Sequence, residues 1–589
     1  MDNQRTTGPA LASSKDQRAE NQIEDDGHVI AASASLQDIR PLVLKYGDAF
    51  GVFDFNGDAI SGEGGAQGLY YRDTRHLSHF AVTIDGARPM LLSSTLRDDN
   101  ATLTCDLTNP DLPEAKGQPK FEHDLVHLRR TRFLWNAACF ERLSIRNFDD
   151  RPRRVRLGIE FAADFADLFE VRGSQRARRG TTRRPEVLPA ETILSYAGLD
   201  EIRRSTAIRF DPRPDKLTAA RAVFDIELKP RESRSIFLEI CFQQENGKAQ
   251  PIRAFFTALR DARRDLRAKS SRAAGIETSN QIFNEAVRRS VADLYMLTTE
   301  LPEGPYPYAG IPWFSAVFGR DAIITALEML WLDSTVARGV LGHLAATQAT
   351  KVDPQADAEP GKILHESRHG EMANLGEVPF GCYYGSIDST PLFVMLAGAY
   401  LERTGDLETI RALWPHIEAA LRWIDAYGDR DGDGFVEYER RGGQGLANQG
   451  WKDSHDAIFH ADGKLAAPPI ALVEVQAYVY AAWRAAQRMS RAIGDVSRAA
   501  EFDKRAEALR LRFDKQFFDE ALGTYALALD GDKKPCRVRT SNAGHALFAG
   551  VAYPERAEAV VRTLMASSSF CGWGIRTVAS SEARYNPMS

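Results

Sequence analysis

Asn448-Gln449-Gly450-Trp451-Lys452-Asp453-Ser454-His455-Asp456 places an aromatic, a cation, a carboxylate and a hydroxyl side by side in a Gly-flanked segment. A Gly-rich run precedes it, and a long helical pattern from Ile470 to Ile493 follows. The stretch therefore reads as a loop carried on a helical scaffold. Trp451 offers a flat apolar platform for a sugar ring. Asp453 can donate a proton to a glycosidic oxygen, provided its surroundings raise its pKa. A Trp-x-Asp by itself is more often a cap or an ion pair, so the rest of the chain has to carry the reading.

The scaffold extends in both directions. Apolar residues recur at i, i+3 and i+4 in 285–298, 320–332, 334–350, 389–404, 407–427, 470–493, 497–518 and 554–566. Loops rich in Gly, Pro and aromatics separate these runs. Helix, loop, helix repeated over such a length predicts an α/α toroid around a central cavity, with the chemistry in the loops at one mouth. Residues 40–244 read differently. Short runs alternate with period two, as in Phe80-Ala-Val-Thr-Ile84 and Ser235-Ile-Phe-Leu-Glu-Ile-Cys-Phe242, and Asp85-Gly86 and Asn109-Pro110 punctuate them. That pattern predicts an all-β sandwich. The domain plan expected is a disordered polar tail over 1–38, a β-sandwich over 39–245, a charged helical linker over 246–278 and the helical toroid over 279–589.

Further loops of the helical part carry chemistry-bearing residues. In Gly310-Ile-Pro-Trp-Phe-Ser-Ala-Val-Phe-Gly-Arg-Asp321, Trp313 and Phe314 precede Gly319-Arg320-Asp321 at a helix start. Trp313 can stack on a ring while Arg320 and Asp321 bond adjacent hydroxyls; the plain alternative is an Asp321 that only complements the helix dipole. Ile363-Leu-His-Glu-Ser-Arg-His-Gly-Glu371 contains His365, Glu366 and His369 in the spacing of a zinc helix. Gly361, Gly370 and Arg368 argue against a metal there, and the segment reads as a polar pocket wall. Phe380-Gly-Cys-Tyr-Tyr-Gly-Ser-Ile-Asp-Ser-Thr-Pro391 sets Tyr383, Tyr384 and Asp388 before a helix that Ser389 or Thr390 caps. Paired tyrosines beside an acid suit sugar hydroxyls. Asp429-Arg-Asp-Gly-Asp-Gly-Phe-Val-Glu-Tyr-Glu-Arg440 imitates a calcium loop, but Arg440 stands where a bidentate Glu belongs, so a tight turn is expected. Glu474 and Gln476 open the helix after the Asp453 loop, either as dipole partners or as a pocket wall opposite Asp453. The basic run from Arg172 to Arg184 reads as a solvated loop, with a phosphate or partner contact as the alternative.

Composition narrows the function classes. The 589-residue chain has room for two or three domains. A net charge of −6 and a pI near 6.1 give no polyanion footprint, so nucleic acid is not favoured. The six cysteines lack CxxC spacing, which suits a reducing compartment. No apolar run of about 18 residues spans a membrane, and no apolar leader opens the chain. A cytoplasmic protein is expected.

The motifs also carry a resemblance. Trp313-Phe-Ser-Ala-Val-Phe-Gly-Arg-Asp321, Tyr383-Tyr-Gly-Ser-Ile-Asp-Ser-Thr-Pro-Leu-Phe393 and Gly450-Trp-Lys-Asp-Ser454 resemble bacterial proteins of the amylo-α-1,6-glucosidase, or glycogen-debranching-like, family. Tyr46-Gly-Asp-Ala-Phe-Gly-Val-Phe-Asp54 and Gly68-Leu-Tyr-Tyr-Arg-Asp-Thr-Arg-His-Leu77 resemble that family's N-terminal β domain. The resemblance implies an (α/α)6 barrel and inverting glycoside hydrolysis, with the two carboxyls roughly 6.5–9.5 Å apart. It implies Asp453 as general acid, with Trp313, Phe314 and Trp451 holding rings. Arg320, Asp321, His365, Glu366, Tyr384, Asp388, Lys452, Glu474 and Gln476 complete the implied sugar site. The implied partner is an oligosaccharide or small α-glucoside, with no cofactor, metal, nucleic acid or membrane. Relatives continue past Ser589 into a segment holding the implied base, so the chain as given is expected to lack its last helices and to be inactive or nearly so. The competing readings are a non-catalytic carbohydrate-binding protein and a metalloprotease using His365 and His369.

Overall fold

The computed structural model describes residues 41–62, 65–112, 122–244, 253–440 and 445–587. The tail expected over 1–38 lies outside them. Among the described residues, all the strands between Leu42 and Gln244 pair antiparallel. One sheet runs Lys216–Leu217, Arg221–Leu228, Arg153–Ala162, His79–Ile84, Ala59–Ile60. A larger one is centred on Arg203–Asp211, Ser233–Gln244, Ala138–Asn147 and Val126–Trp135. Leu128, Leu143, Ile145, Ile236 and Leu238 of the larger sheet share one core with Phe80, Val82, Leu157, Ile159 and Phe224 of the smaller. That shared core, fed by every second residue of each strand, makes the β-sandwich. The strands Val126–Trp135 and Ala138–Asn147 are joined through Asn136 and Ala137, at φ 46° and 54°. Two successive left-handed residues are the turn geometry that matches strand twist.

The sandwich core is not wholly apolar. Glu141 is fully buried and accepts from Arg130 at 2.7 Å and Arg132 at 2.6 Å, and Arg130 also pairs with buried Asp58. Burial pushes the Glu141 carboxyl up, but the two guanidinium groups outweigh it and hold the group below its usual range.

The helix Phe255–Ser270 packs Phe255, Ala258 and Ala262 onto Phe133, Trp135 and Phe140 of the sandwich. From Gln281 the chain is mainly helical. Gly319–Met329 and Ser334–Ala346, Ser389–Thr404 and Leu407–Trp423, and Val473–Ile493 and Val496–Phe517 form helical hairpins. The last two are punctuated alike. Gly405 and Gly494 close the first helices at φ 70° and 97°, and Asp406 and Asp495 then accept the N–H groups of Thr409 and Arg498 to open the second. A left-handed Gly stop followed by an Asp N-cap explains both short turns.

Ser389–Thr404 is buried around most of its circumference and contacts Val473–Ile493, Leu407–Trp423 and both helices of the first hairpin. It is an inner helix of the α/α toroid, and the fold is of the (α/α)6 type. Its N-cap position is Asp388, whose carboxylate does not bond the helix amides. The expected Ser389 or Thr390 cap is not formed: both lie inside the first turn, and Thr390 accepts the Ile363 N–H at 3.0 Å instead.

Asp429, Asp431 and Asp433 do gather in the Asp-rich loop. The Lys533 ammonium bonds Asp431, Asp433 and buried Glu437 at 2.9, 2.8 and 2.7 Å, so an internal cation pairs with the turn's carboxylates. No described helix is long and apolar enough to cross a membrane.

Candidate active site

The loop that opens the helix Val473–Ile493 is pinned on both sides of Asp453. The Asn448 side chain accepts from Tyr438 at 2.6 Å and donates to the Ser454 carbonyl at 2.6 Å. The Gln449 carbonyl takes the Ile387 N–H at 2.8 Å, and the Gly450 carbonyl takes Arg320 Nη1 at 3.0 Å. A Cβ on Gly450 would meet the Leu472 methyl and stand 3.5 Å from Glu474 Oε1, so the loop lies close against the helix start here.

Arg320, in the first turn of Gly319–Met329, organises the charges. It bonds buried Asp388 at 3.2 Å and lies 3.8 Å from Asp453. Burial works against its charge, yet Asp388, Asp321 and Asp453 hold the guanidinium protonated. Asp453 keeps 47 % of its side chain exposed. Its carboxyl is nevertheless raised above the usual range, by burial first, with Arg320 opposing and Asp321 and Asp388 adding repulsion. A carboxyl that solvent reaches and whose pKa is raised is shifted in the direction a general acid needs.

Glu474 is fully buried and faces the Asn542 side chain. Burial raises it to about 7, with Asn542 and Lys452 opposing. Burial lowers Lys452 to about 8, and its ammonium donates to the Thr577 carbonyl at 2.6 Å. The Trp451 ring lies 5.9 Å from that of His545, and its buried Nε1 has no acceptor. His545 in turn bonds the Tyr478 hydroxyl at 2.6 Å, and burial lowers it to about 4, so the ring is neutral near pH 7.

The remaining sequence-predicted residues lie around this centre or away from it. Trp313 and exposed Phe314 carry the Arg172 guanidinium of the sandwich, 5.9 and 5.8 Å from their ring centres. One end of the basic run is thus a cation on this aromatic pair. His365 is buried with Nδ1 unpartnered, and its backbone carbonyl takes the Gly319 N–H at 2.8 Å. Glu366 bonds Arg368 at 2.6 Å, and Arg368 reaches Asp73 of the sandwich at 2.9 Å. His369 is exposed, so the two histidines do not share an environment. Tyr384 donates to the Thr347 carbonyl at 2.7 Å. Gln476 engages both the N–H and the carbonyl of Val436, at 2.8 and 2.7 Å. Asp321 faces Arg320 and Asp453 electrostatically.

Sequence reading passed over Ser541, Asn542 and His545. They sit on a three-residue turn and a five-residue helix, too short to show periodicity. The polar string Thr540-Ser-Asn-Ala-Gly-His545 was the available signal.

Residues 44–239 match the family model described as the N-terminal domain of (some) glycogen debranching enzymes. Residues 317–589 match the one described as the mannosylglycerate hydrolase MGH1-like glycoside hydrolase domain. None of the curated proteins compared with the chain matches it. Among solved structures, a protein assigned as a kojibiose phosphorylase from the human microbiome is 9 % identical, with a TM-score of 0.55 over 82 % of this chain and 69 % of that one. A bacterial glucoamylase complexed with acarbose is 11 % identical, with a TM-score of 0.53 over 89 % and 81 %. At such identities these two likenesses speak for the fold alone. The chain thus joins a domain like the N-terminal domain of some glycogen debranching enzymes to a helical part like the MGH1-like glycoside hydrolase domain, on a fold it shares with (α/α)6 glycosidases.

Proposed function

We propose that this protein hydrolyses α-glucosidic linkages with inversion, Asp453 acting as general acid. The observation that supports this most is the Asp453 carboxyl itself, raised in pKa, open to solvent and 3.8 Å from Arg320. Trp451 and Trp313 hold sugar rings. Asp453 gives its proton to the glycosidic oxygen, and water attacks the anomeric carbon from the opposite face, activated by a second carboxylate. Arg320 pairs with Asp388 and holds the Gly450 carbonyl, so it fixes where the acid stands. The match to a debranching-type N-terminal domain favours α-1,6-linked glucose within this class. The six free cysteines fit a cytoplasmic setting.

The test is a panel of α-glucosides incubated with purified protein that includes the segment holding the implied base, with the product anomer followed by NMR. Release of the β-anomer in phosphate-free buffer is expected. Cleavage that requires inorganic phosphate, or release of the α-anomer, would sink the inverting-hydrolase reading. Sugar binding without any cleavage would leave a carbohydrate-binding protein.

A further inference from the structure

The helix Phe255–Ser270 presents two stripes. Phe255, Ala258 and Ala262 are buried against the sandwich. Phe256, Leu259, Arg260, Arg263, Arg264 and Arg267 form a second stripe turned away from the sheet, at the spacing of one helix face. An open cleft of about 460 Å³ lies among these side chains. Phe256, Arg260, Arg264 and Arg267 are exposed, and Leu259 and Arg263 are half-buried. Arg260 bonds its neighbour Asp261 at 3.0 Å. Among the described residues no carboxylate pairs with Arg263, Arg264 or Arg267, and Arg263 Nε is buried without a hydrogen-bond acceptor. Like charges three and four residues apart destabilise a helix. The stripe therefore lacks an anionic partner, in a chain whose net charge is −6.

The sequence ahead of Pro41, outside the described residues, supplies matching chemistry. Between Arg18 and Arg40 it holds Glu20, Glu24, Asp25, Asp26 and Asp38 and neither Lys nor Arg. Ile23, Val29 and Ile30 flank the acidic triad, so acid and apolar groups alternate as they do on the stripe. The first described strand, Leu42–Tyr46, ends on this helix: the Tyr46 hydroxyl donates to Asp265 at 2.9 Å. The stretch from Asp26 to Pro41 reaches roughly 50 Å when extended, and the helix is only about 24 Å long. A segment tethered this close meets the stripe at an effective concentration on the order of millimolar. A free acidic peptide has no such advantage. We propose that residues 20–30 of the same chain dock in this cleft, with Glu24, Asp25 and Asp26 on Arg263, Arg264 and Arg267 and the flanking apolar side chains on Phe256 and Leu259.

The test is competition within the full chain, read by fluorescence anisotropy of a labelled peptide of residues 19–39. One variant neutralises the segment (Glu24→Gln, Asp25→Asn, Asp26→Asn). A second adds Arg264→Glu and Arg267→Glu to it, both exposed positions, and thermal melts establish that each is folded. The peptide should bind the neutralised chain, because its cleft is vacated. It should bind about ten-fold or more weakly to the wild type, whose own segment competes, and to the arginine-reversed chain. Raising salt from about 50 to about 500 mM should weaken it further. A readout without any variant is hydrogen exchange in the wild type: amides of residues 20–30 should be protected at low salt and lose that protection at high salt. Four results would overturn the proposal. They are no binding to the neutralised chain, equal binding with and without the two arginines, equal binding to the wild type and the neutralised chain, and no salt-sensitive protection. The third would leave the stripe open to an acidic partner protein. A mass that doubles with concentration in the wild type but not in the neutralised chain would put the segment on a second copy, and overturns the intrachain contact as well.

Discussion

At the scale of single residues, protonation decides the chemistry. Asp453 is raised partly by Asp321, so the proton it donates is held to higher pH than on an ordinary aspartate. Activity that needs this proton falls as pH climbs through the Asp453 pKa. Asp321→Asn removes one repelling charge and should move the basic limb of the kcat/KM profile to lower pH; an unmoved limb would mean another group is the acid. Glu474 gives a stability test. Its folded pKa of about 7 lies above the ordinary 4.5, so the folded state holds the proton more tightly than the unfolded chain. Stability from this group is fully present below 4.5 and is lost as pH rises towards 7, by up to about 3 kcal/mol. Glu474→Gln should therefore gain on the wild type between pH 4.5 and 7.5 in denaturant melts. A constant difference across that range would contradict the burial argument.

At the scale of elements, the inner helices touch through a glycine. A Cβ on Gly398 would stand 2.5 Å from the Ala485 Cβ, so Ser389–Thr404 and Val473–Ile493 pack backbone to backbone there. Gly398→Val should lower stability by roughly 1–3 kcal/mol through overpacking, seen as a lower thermal midpoint; an unchanged midpoint would mean the helices can part freely. The helical hairpins were legible because apolar spacing and the Gly405-Asp406 and Gly494-Asp495 punctuation are local signals. The strands were legible through alternation and turn residues. What sequence does not carry is which polar side chain is already engaged. Glu474 and Gln476 share one helical turn, and both were expected to meet hydroxyls. Val436 runs beside the helix and takes up both ends of the Gln476 amide, while Glu474 faces Asn542 instead. Only the long-range path of the chain separates the two. The Asp-rich loop is similar. Its resemblance to a calcium site is local, and the Lys533 that pairs with its carboxylates lies about a hundred residues on.

At the scale of the whole molecule, the sandwich and the toroid meet over the segment that looked like a zinc motif. Arg368 is buried among Glu366, Asp73 of the sandwich and the Trp313 carbonyl, which it bonds at 2.7 Å. The sandwich thereby helps to fix Trp313, whose ring the Arg172 guanidinium also reaches. Arg368→Ala leaves two buried carboxylates facing each other. It should lower stability by roughly 3–5 kcal/mol and raise KM as Trp313 loses its anchor. A variant with wild-type melting and KM would separate the interface from the site.

The central claim is that Asp453 protonates the leaving oxygen, and leaving-group dependence tests it most directly. An α-linked disaccharide needs the proton, whereas α-glucosyl fluoride departs with little help. Asp453→Asn should lose about 10²–10⁴-fold in kcat on the disaccharide and only a few-fold on the fluoride. Equal losses on both substrates, or no loss on either, would contradict the assignment.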